Sequence, residues 1–576
     1  MLDEMQGLWV GDRLSPLEQV SIRSFLRQGH PFTLYTYGEV AGVPEGTKLV
    51  NAEEILPKSQ FDPAKFSSLG AFSDFFRHKL LLEKGGWWVD IDTVCLKPFQ
   101  FDSPFVFSSE FLADGCTPHT NSGNIKVPAN SEIEKYIWEE CLKTDPSNIT
   151  WGAVGPALVS RAVEKFDLMQ YVQSPEVFCP VSWWDVQTLI DPMKSLNVKE
   201  TTRAIHLWGE MWSRKGMDKT TFRLGSPYER LHRMSFQGYM PTESMEDVTA
   251  LVKTFLRDKS LFHYVQTLKE QHPKIHIIVA DDGNCSTEKE QKLLSMGVDR
   301  YIQLPWNVGL SAGRNTLLDA CETPFALFGD DDFSFDANSH LENLRLLMAV
   351  SDIAAGRVLQ KGEHGYVKRG EWLNFGGDLK EIGGKMYHVP LSGKLQTYQG
   401  ILYEKLDLPL NFFIGRVDVL RQVKWDVALK VGYEHEDFFL RTKEANLRVV
   451  ICPDVAANHQ EVDELNPEYT KVRTDYTQYY QYFTEKWGRT PGQPLAISPT
   501  PPPPAPLEIQ PAGPIPNWNK HFLDNKVQML FHKFRYAVAT IPKSAHYKQL
   551  CKIYPEHLEE VVDTPEGRRI IFVVER

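Results

Sequence analysis

Paired cysteines are missing from this sequence. Its eight cysteines stand scattered at 95, 116, 141, 179, 285, 321, 452 and 551 with no Cys-x-x-Cys among them. That spread speaks against a zinc site or a disulfide framework and for the reduced thiols of a cytosolic protein. No apolar run reaches the length that would cross a membrane, and the N-terminus lacks the basic-then-apolar order of a secretion signal, so the expectation is a cytoplasmic chain. Long Lys/Arg blocks are also absent; with a net charge of −12 and a pI near 5.8, this argues against nucleic acid as the main partner. There is no internal repeat, which argues against a duplicated domain. What remains is ordinary globular material, 42% hydrophobic and 24% charged. Its 576 residues are too many for one core and fit two domains plus a remnant.

One stretch organises the rest. The apolar run Phe325 to Phe328 predicts a buried strand that ends in three carboxylates, Asp330, Asp331 and Asp332. Adjacent like charges repel unless a divalent cation joins them, and oxygen ligands suit a hard ion such as Mn²⁺ or Mg²⁺. A solvated acidic turn is the plainer explanation. The pattern recurs far upstream, however, where Gly85-Gly86-Trp87-Trp88-Val89 runs into Asp90 and Asp92. Two acidic strand ends suggest two catalytic domains, because ligands in open α/β sheets bind beyond the carboxyl ends of strands.

Strand and helix patterns alternate around both. Residues 7–10 read as a strand, 15–26 as a helix, 32–37 as a strand and 67–84 as a helix carrying Asp74 and Arg77 on one face, stopped by Gly85-Gly86. A second start follows near 246: strand 248–256, helix to about 271, strand 275–280 ending in Asp281-Asp282-Gly283, strand 301–304, then Asn307 to Asn315 opening a helix. The alternation predicts a largely parallel sheet in each half. Gly309-Leu310-Ser311-Ala312-Gly313 matches the nucleophile elbow of α/β-hydrolases, but Pro305, Trp306 and Asn307 separate it from its strand. Glu434, Glu436 and Asp437 precede Phe438-Phe439-Leu440 and read as carboxylates at a helix N-terminus, either caps or a catalytic base.

Leu8-Trp9-Val10-Gly11, Ser73-Asp74-Phe75-Phe76-Arg77, Gly85 to Asp92, Asn121-Ser122-Gly123 and Ala204 to Trp208 together resemble glycosyltransferase family 32, which includes α1,4-galactosyltransferases, with toxin-type glucosyltransferases as distant relatives. The resemblance implies a retaining GT-A domain over residues 1–240. Trp9 would stack on the base, Asp74 and Arg77 would hold the donor sugar, Asp90 would bind donor and metal, and Asp92 and His206 would bind metal. Taken singly, Trp9 and His206 read equally as core, and Asp74 with Arg77 as an ordinary helix ion pair.

Residues 248–459 resemble inverting glycosyltransferases of the family 2 type, above all the β1,4-N-acetylgalactosaminyltransferase group, family 12. Lys253 to Arg257, Ala280 to Gly283, Asn307 to Asn315, Asp330 to Phe333, Asn411 to Arg416 and Glu434 to Phe439 carry the likeness. It implies a second GT-A domain over 245–495 in which Thr254, Arg257, Asp282, Asn307, Arg314, Asp330 and Asp331 contact the donor. Asp330, Asp332 and His459 would hold metal, and Asp437, with Glu436 next, would be the base that an inverting transfer requires.

The reading is therefore an α/β protein with two Rossmann-like GT-A domains, each using one Mn²⁺ or Mg²⁺ and a nucleotide sugar, most simply a UDP-sugar, with a glycan or lipid-linked acceptor in polysaccharide or glycolipid synthesis. The rivals are a single active β-transferase with a glycan-binding first domain, and a non-catalytic carbohydrate scaffold. Prolines from 499 to 516 predict a stiff linker over 498–516. In the small region 517–576, residues 523–538 read as a partly amphipathic helix, a small core helix or a peripheral contact with the inner face of a membrane.

Overall fold

The computed structural model describes residues 2–491, apart from 116, 197, 237–243, 338, 363–364, 367–376, 383–384, 460–465, 474–476 and 489, together with strand residues 528–532, 536–541, 558–564 and 567–573. The chain divides into two compact units, 1–220 with 225–237 and 504–576, and 221–224 with 238–503. The predicted linker 498–516 lies outside the described residues.

In the first unit the sheet order is Thr47–Asn51, Phe32–Thr36, Met5–Trp9, Gly86–Val89, Pro118–Val127, Val106–Phe111. The first four strands are parallel and the last two antiparallel. The sheet is thus mixed, not largely parallel as alternation predicted, because a hairpin needs no crossover helix and extends the edge directly. Helix Pro16–Arg27 starts at a capping box formed by Ser15 and Glu18, with Pro16 at its first turn, and buries Leu17, Val20 and Phe25. Helix Leu69–Lys84 ends at Gly85, whose φ of +63° favours glycine. Its neighbours enforce the same choice, since a Cβ there would lie 2.3 Å from the Ala129 backbone nitrogen. A separate pair, Thr93–Cys95 with Ala204–His206, sets Thr93 opposite His206.

In the second unit Arg300–Gln303, His276–Asp281, Val248–Thr254 and Phe325–Phe328 form a parallel set in that order. The sheet continues through Phe413–Arg416, antiparallel to Phe325–Phe328, and on to Ile353–Gly362 and Val449–His459, so it too is mixed. Short strand Phe333–Ser334 pairs with the end of Val449–His459, which sets Phe333 opposite His459. Helices Pro467–Arg473 and Thr477–Trp487 follow.

Where the stretch 523–538 is described, it is strand rather than the expected helix. Gln528–His532 and Tyr536–Ile541 are strands of an antiparallel four-stranded sheet completed by Gly567–Val573 and Leu558–Thr564. Tyr536-Ala-Val-Ala-Thr-Ile541 is rich in β-branched and aromatic residues, and pairing across the sheet outweighs a loose helical spacing. The amphipathic helix that suggested membrane contact is therefore gone. Among the described residues no helix is long and apolar enough to cross a membrane.

Candidate active sites

In the first unit strand Gly86–Val89 stops one residue short of Asp90, and the turn after it presents two carboxylates. Arg77, buried on helix Leu69–Lys84, reaches both Asp74 and Asp90 at 2.7 Å. Trp88 Nε1 donates to the same Asp90 oxygen at 2.8 Å. Asp92 receives the Gly209 N–H at 2.6 Å and stands 3.0 Å from His206 Nε2. The bond from Leu207 N to Asp92 O, 2.8 Å, fixes the two segments in register. Burial raises the Asp90 acid against the pull of Arg77. At Asp92 burial is overcome by His206 and the Gly209 N–H, holding that acid at about 2. Burial would lower His206, but Asp92 holds it well above the usual imidazole range.

Among the described residues, Asp90, Asp92 and His206 are a group that could hold a metal, with ligand atoms all within 4.8 Å of one another. Two carboxylates and an imidazole suit Mn²⁺, and His206 Nδ1 is buried without a hydrogen-bond partner. The residues present fit the ion. They line a cleft of about 370 Å³ that also takes in Trp9, Asp74, Asn121, Ser122 and Gly123. Trp9, at the end of strand Met5–Trp9, has a buried Nε1 with no partner. Trp9, Asp74, Arg77, Asp90, Asp92 and His206 thus all line one cleft.

Gly155 escaped notice in the sequence. It starts helix Pro156–Lys165, and a Cβ there would lie 2.5 Å and 2.7 Å from the two Asp74 carboxylate oxygens. Asp74 is itself held by Arg77, so it cannot step aside without breaking that pair. Gly155→Ala is expected to cost about 1–3 kcal/mol by overpacking and to lower affinity for whatever Asp74 and Arg77 hold. Thermal unfolding together with ligand titration of the variant checks both.

The second unit builds a denser charge network. Strand Phe325–Phe328 is fully buried and runs through Gly329 into the triad. Asp331 accepts from Thr254 Oγ1 at 2.7 Å and faces Arg257 Nη1 at 3.2 Å. Asp332 pairs with the other Arg257 nitrogen and with His459 Nε2, the latter at 2.9 Å. Asp330 turns the other way, to Arg314 Nη2 at 3.2 Å and Asn411 Nδ2 at 2.5 Å. Arg314 Nη1 in turn lies 3.8 Å from Glu434. Burial pushes the Asp331 acid up to about 6, against Arg257, whereas at Asp332 His459 and Arg257 overcome burial and hold it below its ordinary value.

Asp330 and Asp332 therefore do not converge on one point with His459. Asp332 and His459 do meet, and Asp332 Oδ1 is buried without a hydrogen-bond partner, so this pair offers two ligands to a cation. Asp282 pairs with Lys253 and accepts from Gly309 N at 3.0 Å. Asn307 stands beside it in the left-handed region, φ +50°, with its N–H on the Asp282 carbonyl at 2.8 Å. Ser311 is buried and donates to the Leu429 carbonyl at 2.6 Å, so the hydrolase motif holds no exposed nucleophile.

The helix-end carboxylates separate into different roles. Asp437 is fully buried between Arg441 at 2.9 Å, Lys486 at 2.7 Å and Trp487 Nε1 at 3.0 Å, tying helix Glu434–Glu444 to helix Thr477–Trp487. Glu436 is half-buried, and burial pushes its acid up to about 6.

Residues 249–423 match the model of glycosyl transferase family 2. This family 2 domain is similar to β1,4 N-acetylgalactosaminyltransferases. Rat β1,4 N-acetylgalactosaminyltransferase 1 is 30% identical over 224 residues, 37% of this chain and 38% of the rat protein. Its human counterpart is 28% identical over 237 residues, covering 38% and 41%. Mouse β1,4 N-acetylgalactosaminyltransferase 2 is 27% identical over 234 residues, covering 40% and 43%. The chain thus spans roughly two fifths of the length of the curated relatives it matches. Among solved structures, S. aureus TarS 1–349 in complex with UDP-GlcNAc is 16% identical with a TM-score of 0.29, covering 41% of this chain and 63% of that one. The PaToxG glycosyltransferase is 14% identical with a TM-score of 0.23, covering 29% and 70%.

Within the family 2 domain and its flanks, sequence reasoning missed Lys253 as the partner of Asp282, and Asn411 and Tyr469 as partners of Asp330 and Arg257. Asn411 stood in a quoted motif without a role. Tyr469 carried no signal, being 212 residues from the arginine it touches.

Proposed function

We propose that the chain carries two nucleotide-sugar transferase sites on GT-A frames, an α-retaining one in the first unit and a β-inverting one in the second. The observation that carries this reading is one arrangement met twice in different sequence frames. A short buried strand runs out into paired carboxylates held by a buried arginine, Asp90, beside Asp92, with Arg77, and Asp331 and Asp332 with Arg257. The family 2 match supports the second site, and the ordered motifs resembling family 32 support the first. Donors of the UDP-sugar class and a glycan acceptor follow from the same likenesses.

Asp90, Asp92 and His206 would hold a divalent cation in the first site, and Asp332 with His459 in the second. When bound, the cation supplies positive charge to the leaving diphosphate. The chain's own residues do the rest. Arg257 and Arg314 hold the triad's carboxylates in place, and Thr254 fixes Asp331. In the inverting site Glu436 takes the acceptor hydroxyl's proton as its oxygen attacks the sugar, in preference to Asp437, whose oxygens are already engaged. An acid near 6 is ionised at neutral pH yet still basic enough to accept that proton.

The pH dependence follows. Protonated Glu436 cannot act as a base, so transfer by the second site should rise about tenfold per pH unit below a midpoint near pH 6 and level off above it. Glu436→Gln should flatten that limb. A rate independent of pH between 5 and 7 would, to about one unit of pH, remove Glu436 from the role.

A further inference from the structure

We propose that the mouth of the first unit's cleft is its acceptor subsite, where a hexopyranose ring stacks on the indole of Trp151. This rests on the transferase reading of that unit.

Trp151 is 59% exposed and lines the cleft, whereas Trp9, Trp88, Trp183 and Trp208, which line it too, are buried or half-buried. Leaving so large an apolar ring in water forfeits the gain from burying it, yet the backbone holds it there. Residues Thr150 to Ala153 form a turn closed by the bond from Ala153 N to Thr150 O at 3.0 Å. Gly152 takes the third position with φ +76°, the type II pattern that calls for glycine, so Trp151 sits at the tip. Upstream, Ser67 Oγ donates to the Ile149 carbonyl at 2.9 Å and Ser67 N to the Pro146 carbonyl at 2.9 Å. Downstream, the bond from Ala157 N to Gly152 O, 3.1 Å, joins the turn to helix Pro156–Lys165. The ring is presented by a braced turn.

The Arg214 guanidinium lies over this indole at 5.0 Å and is itself paired with Glu210 at 2.9 Å; Glu210 and Met211 line the cleft along with Trp151. A pyranose has an apolar C–H face and a rim of hydroxyls. An exposed indole flanked by a carboxylate and a guanidinium offers a plate for the first and an acceptor and donors for the second. The paired carboxylates and Arg77 line the same cleft and suit a charged donor, which leaves the neutral sugar for the tryptophan.

The test is titration of the whole protein with methyl glycosides of galactose, glucose and their N-acetyl forms, and separately with UDP and Mn²⁺, comparing wild type, Trp151→Ala and Trp151→Phe. The expected result is that Trp151→Ala weakens the tightest-binding glycoside about tenfold, that Trp151→Phe falls between, and that UDP affinity stays within about twofold. Unchanged glycoside affinity in Trp151→Ala would overturn the proposal, as would an equal loss of UDP affinity, which would put Trp151 in the nucleotide subsite. Absence of glycoside binding by wild type across the panel would also overturn it. Glycoside binding through Trp151 with no UDP binding by the first unit would sink the transferase reading of that unit, and the acceptor role with it.

Discussion

Glu436→Gln is expected to cut acceptor-dependent transfer by the second site about 10²- to 10⁴-fold, the usual worth of a general base, with donor affinity and melting temperature nearly unchanged. Asp437→Asn should do something different. Its carboxylate is fully buried between Arg441, Lys486 and Trp487, so neutralising it takes the carboxylate from Arg441 and leaves Lys486 with Asp426 alone. Breaking a buried pair in this way costs about 3–5 kcal/mol, which for a unit of this size corresponds to a fall in melting temperature of about 10 °C. The two neighbours on one helix turn therefore separate cleanly, one in kcat and the other in stability. A stable Asp437→Asn protein with lost kcat and a fully active Glu436→Gln protein would exchange their roles.

Arg257→Ala should also be severe. The guanidinium lies between Asp331 and Asp332, both buried, and its removal leaves two adjacent carboxylates facing one another without it. The expected cost is about 3–5 kcal/mol. Because the loss is electrostatic, Mn²⁺ should restore part of it, by occupying Asp332 and His459 and supplying the missing positive charge. Melting curves with and without Mn²⁺ read both effects. An unchanged melting temperature would mean that the triad is not charged in the folded protein, and a melting temperature that Mn²⁺ leaves alone would argue against a cation there.

What the sequence made legible was local. Ser15 followed by Pro16 and Glu18 marked a helix start, Gly85 a helix stop, and apolar runs ending in aspartates marked the strand ends of both sites, because capping, left-handed turns and burial are decided within a few residues. Trp9, Asp74, Arg77, Asp90, Asp92 and His206, singled out from separate motifs, line one cleft. What depended on distant partners was not legible. Asp437 looked like the best base until the helix some 50 residues later supplied Lys486 and Trp487. Asp330 looked like half of a metal pair until Asn411, 81 residues on, and Arg314 drew it away from Asp332. Gly155 was one glycine among 38 until its missing Cβ proved to be the space that Asp74 occupies. The last strands failed for a related reason: a helical spacing over 523–538 is a property of one segment, whereas sheet formation depends on its partners, and Tyr536–Ile541 pairs with Gly567–Val573.

Two donor sites on one chain is the central claim, and release of UDP from a panel of UDP-sugars in Mn²⁺, measured for wild type, Asp92→Asn and Asp332→Asn, tests it most directly. The account predicts that wild type turns over two donors, that Asp92→Asn loses one and keeps the other, and that Asp332→Asn does the reverse, each loss being about 10²-fold or more. A variant that leaves turnover of every donor unchanged, or two variants that lose the same donor, would contradict it.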